Sequence, residues 1–187
     1  HGHKPMSFYV AMISALSAYI DNRYYVVAAC EYSSSFSNMI VDGLAINHQY
    51  TKSFAFEKNL TDLFAKEGIP VHYFSITRTL YDIQIMKIFS KYLRYHHKFI
   101  SCNQSIHENM WCMNCSKCAF VIGAMYVYAP TSAAEIWGNI DKVYHMNSSL
   151  LDHTIDLINP RVKPFECIGT TDENRYLLKR LLINVKM

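Results

Sequence analysis

Cys102-Asn-Gln-Ser-Ile-His-Glu-Asn-Met-Trp-Cys112-Met-Asn-Cys115-Ser-Lys-Cys118 is the stretch on which the reading of this fold turns. It holds four of the six cysteines, and the other two, Cys30 and Cys167, are remote in sequence. The last three of the four repeat as Cys-x2-Cys-x2-Cys, and a nine-residue loop separates them from Cys102. A zinc ion takes four soft ligands in a tetrahedron, with Zn–S about 2.3 Å. A Cys-x2-Cys turn supplies two thiolates, and a third projects from the first turn of the helix that follows. The loop then brings Cys102 back as the fourth. Four thiolates leave no open coordination position, so the spacing predicts a structural site. Three other readings compete with it. Reduced cysteine is often buried as a small hydrophobe. An iron–sulfur cluster also takes four cysteines. A thioredoxin-type redox motif uses only two. His107 lies in the loop and is expected in solvent rather than on the metal.

Outward from this knuckle, the 187 residues suit one domain or part of one. Hydrophobic residues make up 51% and charged residues 18%, a packed globular composition that excludes disorder. A net charge of +3 is too balanced to argue for a nucleic-acid surface. Thiolate-rich metal binding without a secretory pattern points to the cytoplasm. The chain opens His1-Gly2-His3 with no initiator Met, so a cut or processed piece is expected. The apolar run Met6 to Ile20 is too short to span a membrane and is expected as a buried helix opened by Pro5.

Tyr24 to Cys30 is a short apolar run with β-branched residues and reads as a buried parallel strand. It ends at Glu31, followed by Tyr32-Ser33-Ser34-Ser35. Residues just past the C-terminal end of such a strand face the ligand crevice of open α/β sheets, although an ordinary polar loop fits them equally. Met39 to Tyr50 reads as a loop or short hairpin turned at Asp42-Gly43. The polar run Asn47-His48-Gln49-Tyr50-Thr51-Lys52-Ser53 opens a helix ending near Lys66. A strand is expected over Val71 to Ile76, a helix over Leu80 to Tyr92, and a strand over Lys98 to Ser101 leading into Cys102. Beyond the knuckle the chain reads as helices: Cys118 to Tyr128, Ala133 to Trp137 with a capping box from Ser132 to Glu135, Leu150 to Ile158, and Asp172 to Ile183 capped near Thr171. The expected architecture is therefore α/β, an open parallel sheet with crossover helices over 1–101, followed over 102–187 by a helical part stapled by the four-cysteine knuckle.

Several common signatures are missing. There is no Gly-x-Gly-x-x-Gly, no Walker loop and no Gly-x-Ser-x-Gly elbow. The His96-His97 pair points two ways on a strand and cannot chelate one metal from one face.

The motifs Gly2-His3-Lys4-Pro5, Glu31-Tyr32-Ser33-Ser34-Ser35, Asn47 to Ser53, Ser101-Cys102-Asn103, Trp111-Cys112-x-x-Cys115-x-Lys117-Cys118 and Lys163-Pro164-Phe165-Glu166-Cys167 occur in one order. Together they resemble the UDP-N-acetyl-muramoyl-L-alanyl-L-glutamate epimerases of bacterial peptidoglycan synthesis, from residue 2 to about 176. That family looks like a branch of the PP-loop, HUP-like ATP pyrophosphatases, and its cysteine cluster is similar to that of the zinc-holding cyano-deazaguanine synthases. The resemblance implies an enzyme dependent on ATP and Mg²⁺, acting on a UDP-linked peptidoglycan precursor with neither membrane nor nucleic acid as partner. It would activate the terminal L-glutamate as an acyl-adenylate and invert its α-carbon. The family's Ser-Gly-Gly-x-Asp-Ser pyrophosphate loop is missing here and is expected upstream of His1, so these residues alone are expected to be inactive.

Abstracting a proton beside a carboxylate is hard, because the enolate would carry two negative charges. A neutral acyl group lowers that barrier, and a positioned base and acid then exchange the proton. Among the residues of the resembling motifs, Glu31, His48 and Lys52 are the acid–base candidates. His3, Ser33, Ser35, Asn47, Gln49 and Lys117 are the substrate-binding candidates. Cys102, Cys112, Cys115 and Cys118 are the metal ligands. Two other readings remain: a different PP-loop enzyme of the cyano-deazaguanine synthase type acting on a nucleotide or tRNA, and a non-enzymatic zinc module that binds a partner.

Overall fold

The computed structural model describes residues 5–105, 107–159 and 164–185; His3 and Lys163 lie outside them. Helix α1 (Met6–Ile20) and strand β1 (Tyr25–Ala28) come first, then a 3₁₀ turn (Tyr32–Ser35). A hairpin follows, β2 (Met39–Val41) and β3 (Leu44–Ile46), and a second 3₁₀ turn (Tyr50–Lys52) leads into α2 (Phe54–Lys66). The hairpin loop Asp42-Gly43 has both φ angles positive, 49° and 79°, which is the type I′ geometry that matches strand twist. Strand β4 (His72–Ser75) pairs parallel to β1 with Tyr25 opposite His72 and Ala28 opposite Ser75, and α2 lies in the crossover.

The parallel pairing agrees with the sequence reading, but the sheet has only two strands among the described residues. Lys98 to Ser101, expected as a strand, forms no ladder. It leaves a turn instead, its backbone tied locally by Lys98 and Phe99 N–H donating to Tyr95 carbonyl. The histidine pair therefore sits on that turn and not on a strand. His96 is buried against Ser132 and the Phe89 carbonyl, while His97 reaches out to Glu135.

Burial of α1 and β1 is also less complete than expected. In α1 only the small residues Ala11, Ala15 and Ala18 are buried. They form one narrow stripe at helical spacing. Met6, Val10, Ile13, Leu16 and Ile20 are each more than half exposed, because no layer covers the far face of the helix among the described residues. In β1, Tyr25 and Val27 are exposed for the same reason. Phe56, Leu60, Phe64, Val71 and Tyr73 complete this first core.

The second core is built on α4 (Ser116–Tyr128), apolar all round and buried at ten positions from Ser116 to Tyr126. It is surrounded by α3 (Asp82–Phe89), α5 (Pro130–Trp137), α7 (Ser148–Leu157) and α8 (Thr171–Val185). A further short helix, α6 (Ile140–Met146), went unread in the sequence. Gly138, at φ 93°, ends α5, and the Asn139 side chain accepts from the Asp141 and Lys142 amides to start α6. α5 opens at Pro130 rather than through the expected Ser132–Glu135 box, because the Ser132 hydroxyl is spent on His96. α3 is shorter than expected and closes at Phe89, followed by a 3₁₀ turn over Leu93–Tyr95. Ile122 and Met125 have no exposed surface, so truncating either to Ala would cost about 2–5 kcal/mol.

Polar bonds lock the two cores together. Thr170 caps α8, one residue before the expected position, and Glu173 completes a capping box with it: Glu173 N–H donates to Thr170 Oγ1 and Thr170 N–H to Glu173 Oε2. The same carboxylate accepts from the Ser33 hydroxyl and from Ile83 N–H at the start of α3.

Candidate functional site

The cysteine knuckle forms at the N-terminus of α4. Cys115 occupies the cap position, where its sulfur accepts from Cys118 N–H at 3.4 Å. Met113, at φ 56°, turns the chain so that Cys112 and Cys115 face one point. Sulfurs of Cys102, Cys112, Cys115 and Cys118 all lie within 4.8 Å of one another and could hold a metal ion such as zinc. A tetrahedral zinc at about 2.3 Å from each sulfur sets neighbouring sulfurs about 3.8 Å apart. Cys112 and Cys118 stand at 3.7 Å. Amides of Ser105 and Asn114 donate to the Cys102 and Cys112 sulfurs, satisfying negative charge there. Burial pushes the Cys102 thiol up, but donors from Ser105 and Cys112 outweigh it and bring it to about 7. Burial raises Cys112 to about 11 and Cys118 further still. Metal binding must therefore displace protons. Cys30 lies outside the cluster, and burial pushes its thiol up despite Arg78 nearby.

Beside the knuckle opens a cleft of about 670 Å³. One wall is the turn His48 to Lys52, another is Phe165 to Cys167, and the first turn of α1 with Asn103 completes it. The cleft and the knuckle are mechanically joined. Glu166 Oε2 accepts from Lys117 N–H at 2.7 Å in the first turn of α4, where a helix end favours a carboxylate. The Lys117 ammonium donates to the Cys167 carbonyl. Lys117 is thus a brace between the cysteine knuckle and the cleft.

Of the acid–base candidates, His48 and Lys52 line the cleft and Glu31 does not. His48 Nδ1 stands 2.8 Å from Asn38 Oδ1, and its ring meets Phe165 edge-on. Lys52 Nζ donates to Cys167 Sγ at 3.1 Å. Burial favours the neutral amine of Lys52, yet Cys167 and, further off, Glu31 outweigh burial and hold it above the ordinary lysine value. The carbonyl of Glu31 accepts from Arg78 and from the Ser34 hydroxyl, and Ser34 also donates to the Lys52 carbonyl. Lys52 is therefore anchored to the turn just past the C-terminal end of β1.

The substrate-binding candidates divide differently. Gln49 is buried in the cleft wall, its Nε2 donating to the Glu166 carbonyl at 3.3 Å. Its Oε1 has no hydrogen-bond partner among the described residues. Asn47 braces the turn through the Ser34 carbonyl and the Gln49 amide. Ser35 accepts from Phe54 N–H at the start of α2. Ser33 is wholly buried on Glu173, away from the cleft. Sequence reasoning passed over Cys167 and Glu166 as site residues, although both stand in the Lys163–Cys167 motif; Asn103, next to Cys102, was passed over likewise.

The MurL N-terminal domain matches residues 1–76 and the MurL C-terminal domain matches residues 98–186. The chain belongs to the MurL family. Relatives named UDP-N-acetyl-alpha-D-muramoyl-L-alanyl-L-glutamate epimerase occur in Xanthomonas oryzae pv. oryzae, 30% identical over 94% of this chain and 40% of that protein, and in a Micromonospora species, 29% identical over 97% and 41%. A third, from Salinispora tropica, is 29% identical over 97% of this chain and 40% of its own length. The chain thus spans about 40% of the length of the curated MurL relatives it matches. No solved structure matches. No helix among the described residues is long and apolar enough to cross a membrane.

Proposed function

We propose that this chain forms part of an ATP-dependent epimerase that converts the terminal L-glutamate of UDP-MurNAc-L-Ala-L-Glu to D-glutamate in the cytoplasm during peptidoglycan precursor synthesis. The names of the MurL relatives support the substrate and the reaction. The observation that carries the reading to specific residues is the cleft in which His48 and Lys52 stand together against the Phe165–Cys167 segment.

ATP with Mg²⁺ would supply activation of the glutamate carboxylate as a neutral acyl-adenylate. The pyrophosphate loop that such activation needs, and the remainder of a PP-loop-type sheet beside β1 and β4, belong in this reading to other segments of the protein. This chain's own residues bind and exchange protons. The Lys52 ammonium faces charge that develops on the acyl oxygen as the α-proton leaves. His48, steadied through Nδ1 by Asn38, returns a proton to the opposite face of the carbon. The first turn of α1 presents a helix N-terminus to an anionic substrate. Glu31 acts from behind, through its charge on Lys52. Cys102, Cys112, Cys115 and Cys118 would hold a structural zinc, and Lys117 at the same helix end fixes the wall that carries Cys167.

The test is to incubate the full-length protein containing this chain with UDP-MurNAc-L-Ala-L-Glu, ATP and Mg²⁺, hydrolyse the product, and resolve its glutamate enantiomers. D-glutamate is expected, and Lys52→Ala should lower its rate about 100-fold. Glutamate that stays wholly in the L form overturns the reading.

A further inference from the structure

We propose that Cys167 is the base of this cleft: its sulfur takes the α-proton of the substrate's glutamyl group, and Lys52 is the residue that holds that sulfur in place. The inference rests on the epimerase reading and adds to it a residue that the chain's sequence motifs alone did not single out.

Three observations support it. Cys167 and Lys52 line one cleft and are in direct contact, Nζ to Sγ at 3.1 Å, although 115 residues apart in sequence. An ammonium at that distance stabilises negative charge on sulfur through a charge-assisted bond, and the thiolate is the reactive form of cysteine. The Cys167 backbone is also fixed, because the Lys117 side chain holds its carbonyl and the Lys117 amide holds the neighbouring Glu166 carboxylate. Proton transfer needs such positioning within hydrogen-bond reach. Finally, the cleft has an unanswered acceptor. Gln49 is only 3% exposed and its Oε1 meets no donor among the described residues. A buried carbonyl oxygen without a partner costs free energy unless a ligand supplies one. The amide N–H that joins alanine to the epimerising glutamate is a donor one bond from the reacting carbon, so binding it at Gln49 brings that carbon to the wall that carries Cys167.

The step balances without another reagent. The Cα–H bond breaks and an S–H bond forms, and the electron pair left on carbon passes into the acyl oxygen. An N–H bond of the protonated His48 then breaks as the new Cα–H bond forms on the opposite face. Exchange of protons with water resets both side chains.

Two measurements on the zinc-loaded, full-length protein test the proposal. In the first, iodoacetamide labelling at pH 7 is followed by peptide mapping, with Cys30 as internal reference. Cys167 should react at least ~10-fold faster than Cys30. Lys52→Met should slow it by ~10-fold, with Lys52→Arg restoring part of the rate. Equal labelling of the two cysteines, or a Cys167 rate indifferent to Lys52→Met, overturns the pair. In the second, Cys167→Ser and Cys167→Ala should lower kcat for epimerisation by ~100-fold or more with little change in KM, while substrate-dependent AMP formation continues. That persistence, with unchanged zinc content, separates lost proton transfer from lost folding. Epimerisation at the unmodified rate by Cys167→Ser overturns the proposal with the epimerase reading intact. If the unmodified protein forms no D-glutamate, the epimerase reading fails and Cys167's proton transfer with it, while Lys52-dependent labelling still reports whether the pair exists.

Discussion

The hydroxyl of Ser33 donates to Oε2 of Glu173 at 2.7 Å, closing 140 residues of chain with one buried bond. Ser33 stands just past the C-terminal end of β1, and Glu173 is the third residue of α8. The bond therefore joins the α/β part to the helical part. Glu173 is 4% exposed, and its carboxylate is answered by Thr170 N–H, Ile83 N–H and the Ser33 hydroxyl rather than by a cation among the described residues. Two of these donors belong to helix N-termini, where a carboxylate is favoured.

Replacing Glu173 should accordingly loosen both parts at once. Glu173→Ala leaves the Ile83 and Thr170 amides and the Ser33 hydroxyl without their acceptor, at a cost of about 3 kcal/mol or more. Glu173→Gln keeps an acceptor and should cost less. Urea unfolding of the two variants checks this, and equal midpoints for Glu173→Ala and the unmodified protein would count against the junction.

Gly169 makes a related prediction. A Cβ there would lie 2.9 Å from Phe120 Cε2 and 3.1 Å from the Glu173 side chain. Neither neighbour can retreat, since Phe120 is packed in the α4 core and Glu173 is held by three donors. Gly169→Ala should destabilise by about 1–3 kcal/mol through overpacking. A thermal melt at or above that of the unmodified protein would contradict it.

Arg78 forks onto Glu57 Oε2 at 3.1 and 2.8 Å and also holds the Glu31 carbonyl and, more loosely, the Ser34 hydroxyl. The pair is nearly enclosed, with side-chain exposures of 12% and 10%. Removing one member strands a buried charge, so Arg78→Ala should cost about 3–5 kcal/mol. The double variant Arg78→Met with Glu57→Leu should recover much of that loss. Denaturant midpoints of the two decide between a desolvated pair and a solvated surface bridge, for which the loss would be under about 1 kcal/mol.

For the knuckle, elemental analysis should find one zinc per chain. Cys115→Ser should lose the metal and melt roughly 10 °C lower or more, since metal binding free energy is in part folding free energy. Cys30→Ala should change neither, because Cys30 stands outside the four-sulfur cluster. Iron in place of zinc, or an unshifted melt for Cys115→Ser, would refute the structural zinc.

Alkaline pH offers a further check. Burial raises the phenols of Tyr73 and Tyr126 each to about 12, with Cys30 adding to it at Tyr73 and Tyr144 at Tyr126. The folded state thus binds these protons more tightly than the unfolded chain, whose tyrosines titrate near the ordinary value of 10.0. Their contribution is complete below about pH 10 and is lost as pH rises from about 10 toward about 12. Tyr73→Phe removes one of the two, so its denaturation midpoint should fall less between pH 9 and pH 11. Parallel falls in the two proteins would show that Tyr73 titrates normally.

The sequence by itself determined the parts whose signal is local. Four cysteines at fixed spacing can converge only through a tight turn and a helix start, and they do so at α4. Asp42-Gly43 called for the hairpin turn because both of its residues must take positive φ. The apolar runs located β1, β4 and α4, and the motif order identified the family. Local pattern misjudged what depends on neighbours: α1 and β1 read as buried because apolar residues cannot announce which of their faces is covered, and Lys98 to Ser101 read as a strand although no partner lies alongside it. Tertiary structure alone decided the cleft. Ser33 and Ser35 sit in the same motif as Glu31, yet one is spent on Glu173 and the other on the start of α2. Lys52 and Cys167 meet because Lys117 ties the Glu166–Cys167 segment to the knuckle and Gln49 ties the same segment to the turn that carries Lys52. Contacts across more than a hundred residues are set by packing and burial, and no spacing in the linear chain encodes them.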